Sequence, residues 1–369
     1  ILVSYNHPDL TTPFMTRYAY DPVNFRLLRQ KTEDYMESSL TFTPQSGSTR
    51  QDCAYTYDLA GNIVGIRDES ASDCGVAGSS YLQRQFGYDA LYRLVMATGR
   101  EAGYFANSST AWDDSSYIPT GVSGNGAANT RGYTRTYEYD KLGNILDLYH
   151  NAGSGHQFHR VFNSGFGNPF ELSNLCEDID NGGTVVSYTF DDNGNMLTEG
   201  AGRSFEWDYG DRMRGFAEGT TAAAYLYDAG GNRVKRLVKK SGANTEVSIY
   251  IDGGFEYHYE INGSSSVVQE MNEIHVMDGR SRVARLREYY STTWTGTAPV
   301  SLEYNLEDHL VNSALTLNGL GAMTFHEEYF PFGETSFGSY AIKRYRFCGK
   351  ERDEESGMYY YGARYYAPW

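Results

Sequence analysis

The chain has 369 residues, with 31 basic against 47 acidic side chains for a formal net charge of −16, and it carries 33 tyrosines and 40 glycines. That length is too great for one ordinary compact core unless the architecture is a repeat. The acidic balance disfavours nucleic acid and anionic membrane as partners, and no stretch approaches the roughly 18 apolar residues of a membrane helix.

The chain opens on Ile1-Leu2-Val3-Ser4, without a charged region followed by an apolar run. No secretory signal is visible, and the start reads as the middle of something longer. Tyrosine joins an apolar body to a polar tip and favours strands. Tyrosine with glycine, without a collagen period, argues for many strands and tight turns. Arg26–Glu37 alone carries a plausible helical period.

A short pattern then recurs: aromatic, any residue, aromatic, Asp, two residues, Gly, Asn. Clear copies run Tyr55-Thr56-Tyr57-Asp58-Leu59-Ala60-Gly61-Asn62 and Tyr137-Glu138-Tyr139-Asp140-Lys141-Leu142-Gly143-Asn144. Two more centre on Asp191-Asp192-Asn193-Gly194-Asn195 and on Tyr225-Leu226-Tyr227-Asp228-Ala229-Gly230-Gly231-Asn232. Degenerate copies sit at Asp21, at Asp89 with Arg93, and at Asp208 with Arg212. The two aromatics share one face of a strand. Asp and Gly three residues apart are the favoured ends of a type I turn, and the Asp carboxylate can accept a backbone N–H two residues on. A left-handed Gly then forms the bulge that joins antiparallel strands. Each unit is therefore predicted to be a β-hairpin. Tyrosine rings are expected to stack between neighbouring hairpins, with their hydroxyls reaching water.

Ser70–Ser80 and Ala102–Thr130 read as inserted surface loops, and Asn151–Asn181 as a third, partly apolar insertion. Cys53 and Cys74 flank one hairpin unit; a disulfide between them and free thiols both remain open, with Cys176 and Cys348 scattered elsewhere. After Asn232 the motif gives way to plainer hairpins turning at Asp252-Gly253, Asp278-Gly279 and Asn318-Gly319. The chain closes on Tyr329-Phe330-Pro331-Phe332-Gly333-Glu334, Gly349-Lys350-Glu351-Arg352-Asp353 and Tyr359-Tyr360-Tyr361-Gly362-Ala363-Arg364-Tyr365-Tyr366-Ala367-Pro368-Trp369.

These units resemble tyrosine-aspartate (YD), or Rhs, repeats, and the closing stretch resembles the Rhs-repeat-associated core. The repeat residues carrying the resemblance are Tyr57, Asp58, Gly61, Tyr139, Asp140, Gly143, Tyr227, Asp228 and Gly231; those of the core are Tyr361, Gly362, Arg364, Tyr365 and Tyr366. The combination is similar to C subunits of insecticidal Tc toxin complexes and to Salmonella-virulence-protein-like relatives. The resemblance implies an all-β fold, a spiralling strip of antiparallel hairpins forming part of a hollow shell, with residues 1–260 as repeat wall and 261–369 as core. It implies a structural role: enclosing a toxin cargo, together with a companion B-type subunit or the remainder of the same polypeptide, in a secreted or delivered bacterial protein. The family's self-cleaving aspartates lie in an Asp-Pro-x-Gly segment that would follow Trp369, so no catalytic residue is assigned. Neither a cofactor nor membrane insertion is expected of this stretch. Teneurin-like adhesion proteins resemble it too, making cell-surface recognition the alternative.

Other clusters have plain readings. His150, His156 and His159 lack acid or thiol partners at ligand spacing. Asp178-Ile179-Asp180-Asn181-Gly182-Gly183 begins like a calcium loop but carries Thr189 where the twelfth-position Glu belongs. Gly349-Lys350 lacks the rest of a phosphate loop. The paired acids Glu327 and Glu328, and Glu351 with Asp353, read as solvated charge or Arg pairing rather than as a hydrolase dyad. Arg344, Arg346, Arg352 and Arg364 are expected to stack on the closing aromatics and to pair with Glu351, Asp353, Glu354 or Glu355.

Overall fold

The computed structural model describes residues 2–5, 12–39, 41–70, 83–103, 130–164, 172–179, 184–290, 301–338 and 343–369. Twenty-eight strands are found among them, with one short 3-10 turn at Phe347–Gly349. The first twenty-five form a single sheet. It begins with β1 (Leu2–Tyr5), β2 (Phe14–Tyr20), β3 (Leu27–Ser38), β4 (Thr41–Tyr57), β5 (Ile63–Asp68), β6 (Gln83–Tyr88), β7 (Leu94–Ala102), β8 (Thr130–Tyr139) and β9 (Ile145–Asn151). There follow β10 (Gln157–Ser164), β11 (Leu172–Ile179), β12 (Thr184–Phe190), β13 (Met196–Glu199), β14 (Arg203–Trp207), β15 (Met213–Glu218), β16 (Thr221–Tyr227) and β17 (Arg233–Lys239). The rest are β18 (Thr245–Ile251), β19 (Phe255–Ile261), β20 (Val267–Asp278), β21 (Ser281–Tyr289), β22 (Leu302–Glu307), β23 (Ser313–Asn318), β24 (Met323–Tyr329) and β25 (Thr335–Gly338).

Each strand pairs antiparallel with the next in sequence. The pairing of β19 with β20 continues across residue 260 with a one-residue register slip, Glu260 facing Gln269 and Ile261 facing Val267. In such a meander every turn from an even to an odd strand falls on one rim. All the Asp-centred turns are of that kind, so the motif lines a single edge. The register slips by one residue just before each Asp: at Thr56/Tyr57, Glu138/Tyr139 and Leu226/Tyr227 among others. This is the bulge predicted from the motif.

The helical period of Arg26–Glu37 is not realised: Leu27–Ser38 is strand β3. Twelve residues make a marginal helix on their own. Here both edges are claimed, by β2 and β4, and the inward Gln30 and Thr32 are tied to Gln51. Tertiary pairing overrides the local period.

The strip curls round its own last part. Phe14 meets Tyr304 edge-on, ring centroids 5.4 Å apart, and Gln30 Nε2 donates to the Glu307 carbonyl at 2.5 Å. Tyr133 packs on Phe330 at 4.7 Å and Tyr137 on Phe332 at 5.1 Å. Residues 343–369 lie against the same concave face and add a small sheet of β26 (Glu351–Arg352), β27 (Tyr359–Tyr360) and β28 (Tyr365–Tyr366). No helix among the described residues is long and apolar enough to cross a membrane.

Candidate functional site: the repeat rim and the seat of the closing segment

At the rim, every part of the motif is used locally. Asp58 N–H donates to the Asn62 carbonyl at 3.0 Å. Asp58 Oδ1 accepts from Gly61 N–H at 2.7 Å and Asn62 N–H at 2.8 Å, while Asn62 Nδ2 donates to Oδ2 at 2.7 Å. Asp140 repeats this with Leu142 and Asn144, each at 2.8 Å, and Asp228 with Asn232 N–H at 2.8 Å. Gly61, Gly143 and Gly231 take φ of +107°, +93° and +82°, where a side chain is strained. The Asn amide, foremost, with backbone N–H donors holds Asp58 and Asp140 below the usual carboxylate range. Sequence reasoning gave the Asn no task of its own; it is the clamp on the second carboxylate oxygen.

The second aromatic also does more than expected. Tyr57, Tyr139 and Tyr227 hydroxyls do not turn to water: they donate to the carbonyls of Leu27, Leu94 and Met213 at 2.7, 2.6 and 2.6 Å. Tyr88 reaches Ile63 at 2.9 Å and Trp207 Nε1 reaches Met196 at 2.7 Å. In each case the acceptor is the first residue of the previous unit's return strand. Units with Arg in place of Asn reach the other way. Arg26, Arg93 and Arg212 donate to the carbonyls of Asp58, Asp140 and Asp228 at 2.8, 2.7 and 3.3 Å. The degenerate copies thus bolt each hairpin to the next, and the recurrence of Arg there was the readable signal. An eighth such turn, missed in the sequence, joins β22 to β23: Asn312 clamps Asp308, and Val311 stands at φ +65° where Gly usually sits.

The closing segment sits on the concave face. Gly362, at φ +88°, turns the chain between β27 and β28, closed by Tyr361 N–H to the Arg364 carbonyl at 2.9 Å. Tyr365 hydroxyl meets Tyr227 hydroxyl at 3.2 Å and Arg233 Nη1 at 3.1 Å; Tyr366 donates to the Phe332 carbonyl at 2.7 Å. Arg364 is exposed. Trp369 is buried in an apolar cluster with Val186, Phe205 and Phe216, and its Nε1 donates to Glu199 at 2.8 Å. The structure therefore brings Tyr227 of the repeat set and Tyr365 of the core set together, and leaves Asp58 and Asp140 at the rim.

Charge, rather than apolar area alone, fixes this seat. Arg233 of β17 grips Glu351 at 2.7 Å and Asp353 at 2.6 Å. Arg236 holds Glu355 through Nε at 2.9 Å. Arg344 lies 3.1 Å from Glu256 and 3.2 Å from Glu273. Glu334 receives Arg135 at 2.6 Å and Arg160 at 2.8 Å, and Glu327 receives Arg346 Nε at 2.9 Å and Lys343 at 3.1 Å. Burial pulls Glu334 up, but the Arg160 and Arg135 guanidiniums more than reverse this and hold it at about 2. Burial pushes Asp353 the other way, to about 7, with Glu355 and Glu351 adding to it against Arg233 and Arg236. Arg pairing of Glu327 and Glu328 is as expected, Glu328 meeting Arg100 Nε at 2.9 Å. The partners expected for Asp353 and Glu355 are corrected: they are arginines of β17, far off in sequence. Arg352 donates instead to the Gly357 carbonyl at 2.8 Å.

The remaining candidates have structural surroundings. His150 is buried, stacked on Phe158 at 4.6 Å and 2.9 Å from Glu101. His159 stacks on Tyr149 and meets Asp147 at 2.7 Å. His156 lies in the turn before β10, its N–H donating to the Gly153 carbonyl at 3.0 Å. Cys53 and Cys348 carry free thiols; Cys74 lies outside the described residues, as do residues 180–183 of the calcium-loop candidate.

A strip of Asp-clamped hairpins curled round an aromatic closing segment is the architecture that the resemblance to Rhs repeats implies. The comparisons agree. The chain is 28% identical over 383 residues to toxin subunit YenC1 of Yersinia entomophaga, covering 96% of this chain and 36% of that protein. Toxin subunit YenC2 of the same organism is 26% identical, with 96% and 37% covered. A tRNA nuclease, WapA of Bacillus subtilis, is 25% identical over 49% of this chain and 7% of its own length. Among solved structures, a TcdB2-TccC3 crystal structure superposes with a TM-score of 0.79 at 24% identity, covering 96% of this chain and 17% of that one. A Photorhabdus luminescens Tc holotoxin pore gives 0.79 at 24%, with 96% and 16% covered. No family model matches. The chain is thus similar in sequence to the toxin subunits YenC1 and YenC2 and shares an all-β fold with the TccC3-containing structures, and it spans about a third of the length of the curated relatives YenC1 and YenC2.

Proposed function

We propose that this chain is a wall-and-plug segment of a toxin-complex shell, residues 1–260 serving as wall and 261–369 as the core that seats within it. The shell sequesters a passenger polypeptide and is completed by a companion subunit or by the remainder of the same polypeptide. The observation that carries this reading is the seat itself. An aromatic segment is received by the concave face of a curled strip through paired charges, while the outer rim is built from self-contained turns. Here the closing segment takes up the concave side, so space for a passenger would be enclosed by further wall. Delivery as an extracellular toxin component follows from the same reading. The role is structural; the match to WapA touches a small part of that nuclease and gives no ground for moving its activity here. The proteins compared are toxin subunits and tRNA nucleases, and the adhesion reading gains nothing from them.

Electron microscopy of the full-length protein that carries this chain tests the proposal. An internal void with weak, disordered density is expected beside the aromatic plug. A solid interior would end the container reading.

A further inference from the structure

On the concave face, β19 and β20 set two acids directly opposite one another, for Glu256 and Glu273 are register partners. Like charges so placed repel, and burial worsens it; these two are 3% and 1% exposed. His258 stands two residues along β19 on the same face. One ligand atom from each of the three lies within 4.8 Å of the others.

The middle of this cage is held by one atom. Arg344 Nη2 is 3.1 Å from Glu256 Oε2, 2.6 Å from His258 Nε2 and 3.2 Å from Glu273 Oε2. A guanidinium Nη bears two hydrogens, so it cannot give each of the three acceptors a hydrogen of its own. Two carboxylate oxygens and an imidazole nitrogen converging on one point are instead the donor set of a divalent cation. His258 Nδ1 lies 2.8 Å from Ser248 Oγ, the outer hydrogen bond by which ligating imidazoles fix their tautomer. With the proton on Nδ1, the Nε2 lone pair faces the centre. It also lies 2.9 Å from Glu256 Oε2, and in that tautomer the two are both acceptors and need a cation beside them.

We propose that Glu256, His258 and Glu273 form a site for a divalent ion of the zinc class, and that Arg344 is the cation filling it while the closing segment is seated. Strands β19 and β20 supply all three ligands and the closing segment supplies only the competitor. Metal and Arg344 therefore exclude one another, and metal uptake works against seating. The site stands whether or not the shell holds a passenger.

Arg344→Ala in the full-length protein removes the competitor. The variant is expected to take up Co2+ with the visible absorption of a low-coordinate site, and to bind Zn2+ roughly tenfold or more tightly than the parent in calorimetry. Zn2+ should also recover part of the melting temperature that the substitution loses. Adding Glu273→Gln should abolish the binding. Arg344→Gln, neutral and of similar reach, carries the same titrations should the alanine variant not fold. A folded variant that binds neither ion, or binds equally after Glu273→Gln, overturns the proposal. So does failure of both variants to fold in the presence of Zn2+, since the metal should replace the missing charge.

Discussion

The repeat rim and the seat hold the molecule together by opposite means. At the rim, each Asp carboxylate is satisfied within four residues and stays at the surface, as Asp140 is by Leu142 and Asn144. At the seat, carboxylates are buried, and key ones are satisfied across great sequence distance: Glu334 by Arg135 and Arg160, Glu351 by Arg233. A rim turn can form alone as a hairpin. A seat pair exists only once the strip has curled and the closing segment has arrived. The first gives modular construction; the second makes closure conditional on everything else being in place. Buried ion pairs add little over apolar packing when intact, but leave a stranded charge when broken. That asymmetry suits a contact that must choose one arrangement.

The sharpest way to break the comparison is Glu334→Gln. It removes the negative charge that Arg135 and Arg160, both buried, share, and a loss of about 3–5 kcal/mol is expected in denaturant unfolding. A loss below that of a rim substitution would mean the seat is not the conditional contact described. A pH series separates two kinds of buried acid. Glu334 lies at about 2 against an ordinary 4.5. Its stabilisation, roughly 3 kcal/mol by linkage, is present above the unfolded value and is lost as pH falls through 2. Glu307 is pushed by burial up to about 7. The folded state therefore binds its proton more tightly, and stability falls as pH rises from 4.5 through 7. Glu307→Gln should flatten that fall, and an unchanged slope in the variant would place the titration elsewhere. At the rim, Gly143→Val is expected to cost about 1–3 kcal/mol. A Cβ there meets nothing within 4 Å, so the cost is backbone strain at φ +93° alone. Unchanged melting would sever the link between motif and turn.

The rim was legible because its physics is local. Asp, Gly and Asn fall within five residues, and turn chemistry fixes what each must do. The seat was not, because no local rule says which inward position faces which distant partner. One trace was readable: Arg135 lies in phase with Tyr133 and Tyr137 on β8, where strand alternation buries all three. An arginine in an aromatic row needs a buried acid, but the sequence offers 47 acidic residues and no means of choosing Glu334. Arg26–Glu37 failed for the same reason in reverse. Its local period suggested a helix, and two neighbouring strands outweighed it.

The smallest effect tests the bolt between hairpins. Tyr139→Phe keeps the ring over which Arg93 lies, 4.9 Å from its centroid, and removes only the hydroxyl that donates to Leu94 at 2.6 Å. The carbonyl it leaves is half-buried, so about 1 kcal/mol is expected. If the hydroxyls served only solubility, the change would be neutral. If they register one hairpin against the next, Tyr57→Phe and Tyr139→Phe should each cost the same small amount and add when combined, because they bolt different pairs of hairpins. Repetition then explains why tyrosine rather than phenylalanine stands at Tyr57, Tyr88, Tyr139 and Tyr227: a contribution too small to matter once becomes appreciable when four hairpins make it.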